Sequence, residues 1–354
     1  MTRNIQYIDI MKAIGIVLVV LGHSPGLNEY VKSTIYGFHM PLFFFISGLL
    51  LSDEKRQLKI TEYFILQTRA LGIPYLFFWF VSYLYWLPTH TLSASAGKYV
   101  GIPWWKPIEG VFIGNGNALY VNVVLWFFTC LFTTSLIYFI ARKFFSYLSL
   151  LILFNSIAFA FTLFYDKSWP RTPMGLDNAV VALAFFSAGH SFRQYQPVFL
   201  ESMSKKRAIP ASLFLFSWVL IFTILNGEVD LNTMSFGNYK ILYFLIAYLG
   251  IFSLYFFSIS IPNNLVFKWL SKNTIIIFPV HLLMFSVFTG IAEVVFGMPH
   301  SFRESSVVWT VLFAVSALLL SYPASLFLYR YFPNVFGGRK KRQYGRPESL
   351  ARSG

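Results

Sequence analysis

Apolar residues gather along the chain into runs separated by short polar breaks. Ten such runs stand out, at about 5–24, 37–52, 62–88, 119–140, 148–165, 176–191, 208–226, 239–260, 274–296 and 306–331. A hydrocarbon core about 30 Å thick takes roughly 20 residues of helix. The runs at 37–52 and 176–191 are short for that task, and 62–88 is long enough to bend at Pro74. The pattern predicts an all-α, polytopic membrane protein with about ten transmembrane helices. It also predicts one membrane domain over 1–336 and a basic tail over 337–354. No internal repeat is visible, which disfavours a transporter built from two related halves. The longest outside stretch, about 89–118, holds Pro103-Trp104-Trp105 and reads as an interfacial loop or short re-entrant piece.

Composition removes the soluble alternatives. Hydrophobic residues make up 56% of the chain and charged residues 12%, about half the soluble norm. The net charge of +14 is then a matter of topology. With a cytoplasmic N-terminus and an even number of spans, 21 of the 28 Lys and Arg fall inside and seven outside. That bias obeys the positive-inside rule and puts both termini in the cytoplasm. The run Arg339-Lys340-Lys341-Arg342 suits the cytoplasmic end and contact with anionic lipid, not nucleic acid. A single cysteine, Cys130, excludes an internal disulfide and a Cys-based metal cluster. The first run carries Asp9 and Lys12 and lacks a small-residue cleavage site, so it reads as a retained span.

Ionisable groups inside spans are costly and point to function. Lys12 and His23 lie eleven residues apart, about three turns, and Asp9 precedes Lys12 by three. All three share one helix face, a polar stripe about 16 Å long. It runs from an Asp9–Lys12 ion pair at the inner end to an imidazole near the outer one. The alternative places Asp9 and Lys12 at the headgroups, with His23 capping the helix. In the second run Pro41 suits a first helical turn. That predicts His39 at the helix N-terminus, where the dipole keeps imidazole neutral; a ring stacked among phenylalanines is the bland reading. Glu62 and Arg69, seven apart, fall on one face of the third run. Arg69 fits a phosphate or carboxylate ligand, or a snorkelling side chain with Glu62 as local partner. In the ninth run Ser271-Lys272-Asn273-Thr274 offers a helix N-cap. Pro279 then breaks the ladder just before His281, which predicts an inward His281. Trp126 reads as a ligand platform or a core anchor. No metal-ligand spacing, phosphate loop or nucleophile elbow appears.

Ile8-Asp9-Ile10-Met11-Lys12 through Leu21-Gly22-His23-Ser24 resembles the first helix of the acyltransferase-3 family of integral membrane acyltransferases. That family's signature is a basic residue, ten residues, then His. Phe38-His39-Met40-Pro41 through Ser47-Gly48 resembles the second-helix motif in its His-Met-Pro form, as in polysaccharide O-acetylases of the fucose 4-O-acetylase type. Arg69 with Pro74, Leu125-Trp126-Phe127, and Asn273-Thr274 through Pro279-Val280-His281 resemble later landmarks in the same order. The resemblance implies ten helices, a cytoplasmic acyl-CoA donor and O-acylation of a cell-envelope glycan, in a bacterial inner membrane. Two departures stand out. Lys12 occupies a position more often Arg, and Arg69 lacks the further arginines many members carry near the third helix. No fused hydrolase-like domain follows the tenth run, which suggests a stand-alone enzyme.

The expected chemistry follows from these residues. His23 is the general base toward a sugar hydroxyl, with an acyl-His intermediate as the variant. His39 orients the hydroxyl or His23, and Lys12 stabilises charge on the donor side. Asp9, Arg69 and His281 fall on the side of acetyl-CoA or another acyl-CoA. The acceptor is an envelope glycan or a lipid-linked sugar. A transporter or flippase of a lipid-linked sugar is the rival class, and a catalytically dead membrane scaffold is a third.

Overall fold

A computed structural model describes residues 3–90 and 101–336. The basic tail predicted at 337–354, and part of the outer stretch near 89–118, fall outside them. Each of the ten apolar runs falls on a helix or a pair of helices. These are α1 (Arg3–Gly22), α2 (Glu29–Leu49), α3 with α4 (Ile60–Gln67 and Ile73–Thr89), α6 (Trp126–Phe144) and α7 (Tyr147–Phe164). The second half supplies α8 (Leu176–Ser202), α9 (Lys205–Asn226), α10 (Lys240–Ser260), α11 (Leu265–Val294) and α12 (Val307–Tyr331). Two shorter helices, α5 (Lys106–Ile113) and α13 (Pro333–Phe336), one small hairpin, β1 (Val229–Asp230) with β2 (Ser235–Phe236), and several single helical turns lie between or after them. Among the described residues, seven helical stretches are long and apolar enough to cross a membrane. The helices α1, α2 and α8, of 20, 21 and 27 residues, match them in length.

Long-range hydrogen bonds show how the helices alternate. Asp9, early in α1, accepts from Ser271, early in α11. Ser212, early in α9, meets Ser253, late in α10. Lys143, late in α6, donates to the carbonyls of Arg56 and Leu58, just before α3. Arg193, late in α8, donates to the carbonyls of Leu49 and Leu51 at the close of α2. Successive long helices therefore run up and down, and one end of the bundle gathers Arg56, Lys59, Arg142, Lys143, Arg193 and the Lys205-Lys206-Arg207 run. We call this the basic end.

Three local expectations change. The helix α2 starts at Glu29, with the Asn28 side chain accepting from the backbone N–H of Tyr30 and Val31. Pro41 is thus in the helix interior, and His39 is not at a helix N-terminus. The third run bends one turn earlier than Pro74 itself, through a π-helical turn at Thr68–Gly72, and Pro74 then sits in the first turn of α4. Proline cannot donate to the preceding turn, and the widened turn absorbs that loss. Finally, α11 is capped by Asn264, whose side chain accepts from Phe267 N–H, so Ser271 lies inside the helix rather than capping it.

The centre of the bundle is α2, held against α8 by backbone contact. A Cβ on Gly48 would collide with the Phe186 carbonyl, and one on Gly189 with the Phe45 carbonyl. Only glycine at both positions lets the two helices meet this closely.

At the basic end, Asp53, which opens the 3-10 turn Asp53–Gln57, accepts from Gln194 at 3.0 Å and lies 3.4 Å from His190 and 3.6 Å from Arg142. Burial opposes its charge, but the Gln194 amide, His190, Arg142 and Arg193 outweigh that and hold its carboxyl below the usual value. A depressed carboxylate pKa adds stability above the unfolded value, which is lost as pH falls through the folded one. Asp53→Asn is therefore expected to lower the unfolding temperature of purified protein at neutral pH. The gap to wild type should shrink below about pH 4, and thermal melts across pH check it.

Candidate active site

The polar stripe of α1 faces α11. The Asp9 carboxylate accepts from Ser271 at 2.7 Å and from Asn263 at 3.5 Å. The expected Asp9–Lys12 ion pair does not form; no ion pair within 4.0 Å joins them among the described residues, because the carboxylate is turned toward α11. Lys12 is half-buried one turn further along. At the other end of the stripe, beyond the close of α1, the His23 ring meets His281 of α11 at 5.2 Å between centroids. The Tyr36 ring of α2 contacts both His23, at 5.6 Å, and His39, at 4.9 Å. The two motif histidines therefore share a neighbourhood with Tyr36 in contact with each. His39 is 2% and His281 0% exposed.

The three imidazoles are held the same way. Nδ1 of His23 is 2.9 Å from the Val19 carbonyl, that of His39 2.8 Å from Ile35, and that of His281 3.3 Å from Ile277. Each partner is the carbonyl four residues back. A carbonyl oxygen only accepts, so Nδ1 carries the hydrogen in each ring. Each neutral ring then presents the lone pair of Nε2, the tautomer a proton acceptor requires. On His281 that Nε2 is buried and has no protein partner.

His23 opens onto a cavity of about 680 Å³ whose lining also includes Trp86, Asn122, Ser286, Thr289 and Arg303. Its walls are the late turns of α4 and α11, at the end of the bundle opposite the basic one. Trp79, Tyr83, Trp86 and His90 stack in sequence along one face of α4, with interplanar angles of 7°, 19° and 21°. Asn122 is 2% exposed. It donates to Ser82 and to the Pro279 carbonyl, both at 3.0 Å, while its own Oδ1 has no protein partner. The Trp86 indole N–H is likewise buried without one.

The structure thus brings His23, His39 and His281 together and leaves three expected residues outside. His281 sits with the base and not with Arg69. Asp9 and Lys12 lie in the basic half of the stripe. Arg69 is exposed on the π turn and makes no ion pair among the described residues. The Glu62 carboxylate accepts from Lys59 N–H at 2.8 Å and makes no ion pair with Arg69 among the described residues. Trp126 is a core residue, 4% exposed. Sequence reading missed Tyr36 and Asn122. The break at Pro279 was the one available hint of Asn122, since the carbonyl it bonds belongs to that interrupted turn.

A family model described as an acyltransferase domain matches residues 5–326. No curated protein and no solved structure gives a match.

Proposed function

The chain belongs to the acyltransferase-3 family of membrane acyltransferases, and from that premise we propose that it moves an acetyl group from acetyl-CoA to a hydroxyl of an envelope sugar. The observation that carries the reading is the His23–His281–Tyr36–His39 cluster, with Nδ1 of each imidazole tied back to its own helix. In the proposed reaction Nε2 of His23 takes the proton of the acceptor hydroxyl as its oxygen attacks the thioester carbonyl. The C–S bond breaks, and the departing thiolate receives that proton as it leaves as CoA. His39 and His281 orient His23 or the hydroxyl. Lys12 offsets negative charge on the donor side, and Arg69 draws the phosphorylated donor to the basic end, which we assign to the cytoplasm.

The cavity beside His23 is assigned to the acceptor. Of the stacked rings, Trp86 and His90 line it and suit the apolar face of a sugar ring, and the unused Trp86 N–H and Asn122 Oδ1 suit its hydroxyls. A fucose 4-O-acetylase-like specificity is the narrower form of this proposal, in a bacterial inner membrane.

Sidedness tests the assignment. In oriented vesicles given acetyl-CoA and acceptor, free CoA should appear on the side that bears the C-terminus. CoA released only on the opposite side would defeat the topology and the donor assignment together. Detergent-solubilised protein should also transfer the acyl group, whereas a flippase acting without chemistry would release no CoA.

A further inference from the structure

A second, smaller cavity of about 200 Å³ opens at the basic end, against the first turns of α1 and the close of α10. Tyr7, Ser258, Asn263 and Lys205 are among its lining residues. Three polar atoms there are buried without a protein partner: the Tyr7 hydroxyl, the Ser258 hydroxyl and the Asn263 carbonyl oxygen. The Tyr255 hydroxyl is a fourth, on a ring packed edge-on against Tyr7 at 5.2 Å. Tyr7 is 3% and Ser258 1% exposed. Buried polar atoms are nearly always satisfied, so such a group on one cavity calls for a ligand with donors and acceptors of its own. The charge beside them is just as unusual. The helix α9 begins with Lys205-Lys206-Arg207, has no acidic residue in its first turn, and its Ser204 N-cap makes no side-chain bond. Cations at a helix N-terminus oppose the dipole, and three of them together with free N–H groups form a site for an anion. The same Asn263 that lines this cavity donates to Asp9, so the cavity adjoins the polar stripe that leads to His23.

We infer that this cavity is the entrance for the amide-bearing arm of the acyl donor, with the donor's phosphates over the first turn of α9. The inference rests on the acyl-CoA reading above and deepens it. A pantetheine arm carries two amides and a hydroxyl, which match the unpartnered hydroxyls and the Asn263 oxygen, and phosphate matches the basic turn. The thioester end would then enter along Asp9 and Lys12.

Binding to the full-length protein in nanodiscs tests it, with CoA and uncharged pantetheine as probes. The Tyr7→Phe, Ser258→Ala double variant keeps the ring and removes two hydroxyls. It should weaken both probes roughly tenfold or more. Its unfolding temperature should hold or rise, because the hydroxyls satisfy nothing in the fold. The Lys205→Ala, Arg207→Ala pair should weaken CoA and spare pantetheine. Wild-type affinity for both probes in the folded hydroxyl variant would overturn the inference while leaving the acyl-CoA reading intact. If wild type bound no CoA at all, that reading and this inference would fall together. The phosphate site would be overturned if loss of the two basic residues left CoA binding unchanged and reduced only the association with vesicles of anionic lipid.

Discussion

Replacing His23 with alanine is expected to lower kcat roughly 10²–10⁴-fold, the span a positioned general base contributes. The substitution leaves Lys12, Asp9 and the basic end untouched, so donor affinity should change little. Lys12→Ala should weaken donor affinity as well as turnover, and Lys12→Arg should keep most of both, since the charge persists. The measurement is steady-state transfer by purified, folded variants, with donor binding followed separately. Near-normal turnover in His23→Ala would remove the base assignment, and His39 would be next in line. An acyl-His intermediate predicts something further: in wild type, acyl label should remain on the protein when acceptor is withheld.

The second large effect is structural. Alanine normally gains about 1 kcal/mol over glycine inside a helix. At Gly48 and Gly189 the sign should reverse, because the added Cβ meets a backbone carbonyl of the opposing helix that cannot rotate away. Each substitution is expected to cost about 1–3 kcal/mol net, read as a fall in unfolding temperature and in yield of dispersed protein. Once α2 and α8 have moved apart for one methyl, the second has less to displace. The double variant should therefore lose less than the sum of the singles. Unchanged stability at both positions would mean that the α2–α8 seam is looser than its geometry.

Hydropathy placed the apolar runs well because it reads the solvent that each stretch prefers. It failed where hydrogen bonding rather than solvent sets the boundary. The first turns of α2 hold Glu29, Lys32, Ser33 and Thr34, polar enough to look like loop, and Asn28 starts the helix well before the apolar run begins. In α11 the polar quartet Ser271–Thr274 resembled a cap, yet it lies one turn and more inside a helix that Asn264 begins. His23, His39 and His281 were legible because each stands in or beside an apolar run with a marker at fixed spacing, Lys12, Pro41 or Pro279. Their gathering needed contacts between residues more than 250 positions apart, such as His23 with His281. Tyr36 and Asn122 carried no such mark: an aromatic or an amide beside a span is ordinary until its partners are known. His190 was hidden in the same way, within α8, although it follows a glycine as His23 does. It bonds Tyr138 and lies beside Asp53 at the basic end.

The way the imidazoles are pinned has an energetic corollary for the membrane. With Nδ1 of His23 committed to the Val19 carbonyl, the ring cannot hand a proton across itself from one nitrogen to the other. A proton gained at Nε2 has to be given up at Nε2, and in the proposed transfer the thiolate is there to receive it. In that proposed reaction alcohol plus thioester gives ester plus thiol, with no proton drawn from either aqueous phase. Turnover should therefore be indifferent to the protonmotive force, and uncouplers that collapse a pH gradient should leave the rate in sealed vesicles unaltered.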